Sequence, residues 1–148
     1  MQPNYLHLVL EFCAGGELFL LITKNRRFAE PIAKFYFAEI LLSIEHLHSQ
    51  NIMYRDLKPE NVLIDLDGHV RITDFGLSKD CFGPRERAKS FCGSPEYMSP
   101  DMLNQESHTR MVDLYSLGAL LYELLTGLPP FYSDNRDEMY HNIVHREI

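Results

Sequence analysis

Tyr54-Arg55-Asp56-Leu57-Lys58-Pro59-Glu60-Asn61, followed downstream by Asp74-Phe75-Gly76, decides the reading of this chain. Five charged or amide groups in eight positions are too polar for a strand, and the proline breaks a helix, so the first stretch is an exposed, shaped loop. Between the two stretches, the apolar runs Val62 to Ile64 and Val70 to Ile72 flank Asp67-Gly68. That dipeptide favours the positive backbone angles of a tight turn, which predicts a two-stranded hairpin. A turn centred between residues 67 and 68 pairs positions whose numbers sum to 135, so Asn61 and Asp74 face each other at the open end. Loop and hairpin then place a carboxylate, an amine, an amide oxygen and a second carboxylate around one small volume, a set suited to magnesium and phosphate.

Working outward, residues 5 to 12 (YLHLVLEF) read as a strand that stops at the flexible Ala14-Gly15-Gly16. A short helix follows from about Glu17. Pro31 stands where a first-turn proline is tolerated, and Ile32, Tyr36, Ile40 and Ile44 then recur at helical spacing as far as Leu47, a long amphipathic helix ending near Asn51. Cys81 to Ser99 is rich in Gly, Pro, Ser, Arg and Lys without a period, and reads as a long functional loop. Val112 to Leu125 is apolar nearly all round, interrupted by Glu123, and stops at Gly127 before Pro129-Pro130, as expected of a fully buried helix.

With 148 residues, 45% of them hydrophobic, the chain supports one folded unit rather than two. Its formal charge of -7 argues against nucleic acid as a partner and favours basic ones. Cys13, Cys81 and Cys92 are odd in number and widely spaced, so neither a disulfide framework nor a metal knuckle is indicated, and a cytoplasmic location fits. The densest apolar run is too short for a membrane span. His46 and His48 are two apart on a helix and point to different faces, which speaks against a shared metal.

The run Arg55-Asp56-Leu57-Lys58-Pro59-Glu60-Asn61 followed by Asp74-Phe75-Gly76 resembles the catalytic loop and metal-binding motif of the protein kinase family. Within it, Tyr54 before Arg55-Asp56 and the run Phe91-Cys92-Gly93-Ser94-Pro95-Glu96-Tyr97 look like the AGC group of serine/threonine kinases, which includes the cyclic-nucleotide-dependent and ribosomal-protein kinases. Each tripeptide alone is an ordinary turn; several in order, over nearly the whole chain, make the resemblance specific. It implies an α+β protein-kinase-like fold over residues 1–148, mostly the helical C-terminal lobe with a short β-hairpin.

The resemblance further implies that Asp56 orients the substrate hydroxyl and accepts its proton, that Lys58 neutralises charge on the transferring phosphate, and that Asn61 and Asp74 hold the magnesium ions on ATP. Leu10 would gate the adenine pocket, the backbone of Glu11 to Cys13 would bond the adenine edge, and Leu63 would floor it. Glu17 matches an acid that contacts ribose and a substrate arginine, Glu60 another acid facing basic substrate residues, and Ser94 a residue of the peptide-docking segment. Protein substrates with basic motifs are therefore expected. Ser90 stands where the AGC group is phosphorylated by an upstream activating kinase; Arg55 and Lys79 would grip the phosphate, and the basic run Arg85, Arg87, Lys89 suits such an enzyme. Asp113 would bond backbone amides of the catalytic loop.

Several family features are not found. No Gly-rich phosphate loop or strand lysine precedes Tyr5, and the family's last helices do not follow, so the small lobe is expected to be largely missing and the chain to be truncated. Ser99-Pro100-Asp101 replaces Ala-Pro-Glu, and Tyr115 stands where tryptophan is common. Three rival readings are a non-catalytic scaffold, against which Asp56 and Asp74 argue; a small-molecule phosphotransferase, against which the run Phe91 to Pro100 argues; and a decoy for substrates or an activating kinase.

Overall fold

The computed structural model describes residues 5–81 and 87–147. Helices α1 (Leu18–Asn25), α2 (Glu30–Ser49), α3 (Pro100–Leu103), α4 (Met111–Thr126) and α5 (Arg136–His145) are its main regular elements, with short strands between. Strands β1 (Gly16–Glu17), β3 (Val62–Ile64) and β4 (Val70–Ile72) form an antiparallel sheet in the order β1-β3-β4, and β2 (Ile52–Met53) pairs with β5 (Lys79–Asp80). The fold is of the α+β class read from the sequence.

A main core holds α1, α2, α4 and the β3-β4 hairpin together, while β2, α3 and α5 pack in smaller clusters of their own. Leu18 and Ile22 of α1, Ala33, Ile40 and Ile44 of α2, and Leu117, Leu120 and Leu124 of α4 close over Tyr54, Leu57, Val62, Ile64 and Val70. Each fully buried branched side chain contributes about 2 kcal/mol from removal of apolar surface. On α2 the buried stripe is Ala33, Ile40 and Ile44, with Ile32 left half exposed. Pro31 sits in the first turn, where its missing N–H costs nothing. At the end of α4, Gly127 takes a left-handed φ of 96° and donates to the Glu123 carbonyl at 2.7 Å. A Cβ there would stand 2.3 Å from the Arg26 carbonyl oxygen, so only glycine lets α4 end against that loop.

Three expectations need correction. The hairpin forms, but its register is Val62↔Ile72, Leu63↔Arg71 and Ile64↔Val70, so paired numbers sum to 134. The Asp65 carboxylate accepts from the amides of Asp67 and His69, and Asp65 N–H donates to the His69 carbonyl, which widens the turn by one residue. Asn61 is consequently bonded through its carbonyl to Thr73 N–H at 3.0 Å, and Asp74 lies one residue further on. Residues 5 to 12 form no strand, because no described segment pairs with them; Leu6, Val9 and Phe12 are almost fully exposed. Finally, α4 is not buried all round: Leu114, Gly118 and Leu125 face solvent on one stripe.

Candidate active site

The loop from Tyr54 to Asn61, expected to be exposed, is instead largely buried, with Glu60 alone of its residues exposed, because it is fixed from below. Tyr54 and Leu57 are core residues, and Asp113, fully buried near the start of α4, accepts the Tyr54 amide at 2.9 Å on one carboxylate oxygen and the Arg55 amide at 2.7 Å on the other. Arg55 takes a left-handed φ of 67°, an unfavourable conformation for a side-chain-bearing residue, and the two amide bonds hold it there. His48, on α2, completes the anchor by bonding Asp113 through Nε2 at 2.7 Å. A buried acid with three partners is satisfied where a lone one would be costly. His48 is thus a structural partner of the loop, a role that its spacing from His46 does not reveal.

Above this anchor the polar side chains converge. Asp56, 7% exposed, accepts the Ser94 hydroxyl on Oδ1 at 3.0 Å and the Asn61 amide on Oδ2 at 2.9 Å, while Asn61 Nδ2 also reaches the Asp56 carbonyl at 2.8 Å. Lys58 Nζ lies 3.3 Å from Asp56 Oδ2 and 2.8 Å from Ser94 Oγ. Gly93 lets Ser94 approach: its φ of 103° is left-handed, and a Cβ would meet the Arg55 carbonyl oxygen at 2.8 Å.

Asp74 reaches the same region by another route. It too has a left-handed φ, of 55°, and its carboxylate accepts the Gly76 amide at 3.2 Å. Tyr54, whose hydroxyl donates to the Thr73 carbonyl just before it, carries a phenol pKa pushed well up by burial and by the carboxylates of Asp56, Asp74 and Asp113. The ring of Phe75 packs edge-on against Tyr54 at 5.6 Å. Asn61 presents both amide hydrogens to Asp56, leaving its carbonyl oxygen turned away from that residue. Together with the exposed Asp74 carboxylate this is a pair of hard oxygen donors, which fits magnesium and does not fit a soft transition metal.

The protein kinase domain family matches the chain over residues 1–148. The chain belongs to the protein kinase family. Among its relatives, the mouse serine/threonine-protein kinase Sgk2 is 52% identical over 146 residues, the Danio rerio serine/threonine-protein kinase Sgk1 51% over 143, and the Dictyostelium discoideum protein kinase 2 53% over 143. These alignments take in 99%, 97% and 97% of this chain but 40%, 33% and 30% of the relatives, so the chain spans less than half the length of the curated relatives it matches.

Other positions singled out by the kinase resemblance are distributed unevenly. Glu17 pairs with Leu63 across β1 and β3, which brings those two together. Cys13 is half-buried and its carbonyl accepts the Gly16 amide, whereas Leu10 and Glu11 are exposed and form no wall; Glu11 lies 3.8 Å from Arg71 on the surface. Ser90 is exposed, two residues beyond Ala88, which bridges to His108. Arg55 donates through Nε to the Leu77 carbonyl at 2.8 Å, and its Nη1 is buried without a partner among the described residues; Lys79 sits on the neighbouring β5. Arg85 falls outside the described residues.

Beside Lys58 and Ser94 opens a cavity of about 580 Å³, lined among others by Phe19, Arg26, Glu60, Glu96, Tyr97 and Glu123. Glu60 was expected to face basic substrate residues; Glu96 and Glu123 were not expected to join it. Glu123 is 5% exposed and accepts the Tyr97 hydroxyl. Burial pushes its carboxyl up to about 7, the nearby Glu60 and Glu96 push the same way, and the Tyr97 bond opposes them. The sequence did carry a signal, an acid interrupting the densest apolar run, but only the fold shows where it points.

Proposed function

We propose that this protein transfers the γ-phosphate of ATP to serine or threonine hydroxyls of proteins. The observation that carries the reading is the joint placement of Asp56, Lys58, Asn61 and Ser94 within 3.3 Å of one another along a chain of polar contacts. Phosphoryl transfer needs little covalent chemistry from the protein and much positioning and charge compensation. When bound, magnesium ATP supplies the phosphoryl group, and Asn61 with Asp74 would hold the metal. Asp56, oriented by Asn61 and Ser94, accepts the proton of the substrate hydroxyl on Oδ1, whose second lone pair is free beside the Ser94 bond, whereas Oδ2 already faces Asn61 and Lys58. Lys58 offsets negative charge beside it.

A preference for basic substrates is supported by the cavity beside the loop, where Glu60 and Glu96, joined by Glu123 once pH exceeds about 7, share the lining with the cations Arg26 and Lys58. A guanidinium entering there would meet Glu60, Glu96 and Glu123 next to the hydroxyl acceptor. Regulation by phosphorylation of Ser90 by an upstream kinase is supported by the exposure of Ser90 and by the cations Arg55 and Lys79, of which Arg55 Nη1 has a donor unused among the described residues.

The test is transfer of labelled phosphate from ATP to serine peptides with and without upstream arginines. Transfer that prefers the arginine peptide, and loses that preference in Glu60→Gln and Glu96→Gln variants, supports the reading. Transfer indifferent to arginine would sink the substrate preference, and no transfer by the intact protein, with Ser90 phosphorylated, would sink the activity.

A further inference from the structure

The histidines of this chain do different work. His48 is engaged with Asp113, His69 with Glu39, and His108 is buried at 2% exposure. His141 and His145 differ from these. They lie one turn apart on α5, both are exposed, and their ring centroids are 4.7 Å apart with 47° between planes.

The helix that carries them is well anchored. Met139 and Ile143 are buried against Phe131, and at about 100° per residue a stripe two positions away lies about 200° round the helix. The two imidazoles therefore stand on the face opposite the core, on a frame whose first turn is capped by the Asn135 side chain bonding the amides of Asp137 and Glu138. Holding the rings together costs little more, because folding of α5 has already fixed the backbone between them.

We propose that His141 and His145 form a two-nitrogen chelate for a borderline divalent transition-metal ion, taking copper(II) in preference to nickel(II) or zinc(II). Two imidazoles at i and i+4 on one helix face reach a common ion, and neutral imidazole nitrogen suits these metals rather than magnesium or calcium. The order follows from the usual rise in affinity of nitrogen sites towards copper. No group of three or more histidine, cysteine or acidic side chains able to hold a metal occurs among the described residues, so water completes the coordination and the site is open and exchangeable. Asp137, one turn earlier on the same stripe, adds negative charge, and Arg146 beside His145 opposes it. The site is separate from the hard-oxygen pair Asn61 and Asp74 in both position and ligand chemistry, and does not depend on the catalytic reading.

Titration of the full chain with copper(II), followed by calorimetry and by electron paramagnetic resonance, tests this. One saturable equivalent showing nitrogen coupling is expected, with His141→Ala and His145→Ala each weakening binding by roughly tenfold or more, and His7→Ala and His46→Ala leaving it unchanged. Zinc(II) should bind more weakly at the same pair, and acidification should release either metal as protons compete for the imidazoles. Because both side chains are exposed, the variants keep the fold, which circular dichroism checks. Absence of saturable binding, or binding retained by the His141→Ala, His145→Ala double variant, as would follow if the ion sat on the chain's amino terminus, overturns the proposal.

Discussion

Glu123→Gln keeps the volume of a buried side chain and an oxygen acceptor for the Tyr97 hydroxyl while removing the titration. Burial raises the Glu123 carboxyl from 4.5 to about 7. An acid whose folded pKa lies above its unfolded value holds its proton more tightly when folded, so its contribution to stability is fully present below about pH 4.5 and is lost as pH rises through about 7. With about 1.4 kcal/mol per pKa unit, the full loss is about 3 kcal/mol, most of it between pH 5 and pH 8. Urea unfolding of both proteins at those two pH values reads the difference. His69, raised by its bond to Glu39, also makes stability fall with rising pH, but it is present in both proteins and cancels. The glutamine variant should gain on the parent by about 2 to 3 kcal/mol in going from pH 5 to pH 8. A difference that does not change with pH would refute the reasoning, since it would mean that the buried carboxyl titrates as an exposed one.

Asp113→Ala should destabilise the fold by about 3 to 5 kcal/mol in denaturant titration, because it orphans the Tyr54 and Arg55 amides and leaves His48 without its acceptor. Gly93→Ala should lower the melting temperature, and more than an alanine at the unobstructed helical Gly118, since it must both hold a left-handed φ and clear the Arg55 carbonyl. At the hairpin, protonated His69 donates to Glu39, whose other oxygen accepts the Val70 amide; exchange protection of that amide should be full below the ordinary histidine pKa and fall as pH rises past the raised value. His69→Gln should abolish that pH dependence in a hydrogen-exchange profile.

How much was legible beforehand depended on whether the signal was local. The polar loop, the long helix behind Pro31 and the stop at Gly127 were all readable, because proline, glycine and apolar spacing act over a few residues. The hairpin was readable but its register was not: Asp67-Gly68 looks like a two-residue turn, and only the Asp65 carboxylate, bonding two amides ahead of it, lengthens the turn and moves Asp74 from opposite Asn61 to one place beyond. The strand pattern of residues 5 to 12 and the apolar circumference of α4 describe what those segments are able to bury, and burial needs partners that a one-dimensional pattern does not supply. His48 and Glu123 were underread for the opposite reason. Their roles come from contacts with Asp113, 65 residues away, and Tyr97, 26 residues away, separations over which spacing carries no information.

The most direct test of the central claim is single-turnover phosphate transfer to an arginine-containing serine peptide by the intact protein and its Asp56→Asn variant, with ATP affinity measured alongside. Removing the hydroxyl acceptor should slow transfer by a factor on the order of 100 to 10,000 while nucleotide affinity stays within a few-fold, because Asn61 and Asp74 are untouched. Transfer at the parent rate in the variant would contradict the assignment of Asp56, and with it the reading of the loop from Tyr54 to Asn61 as a catalytic one.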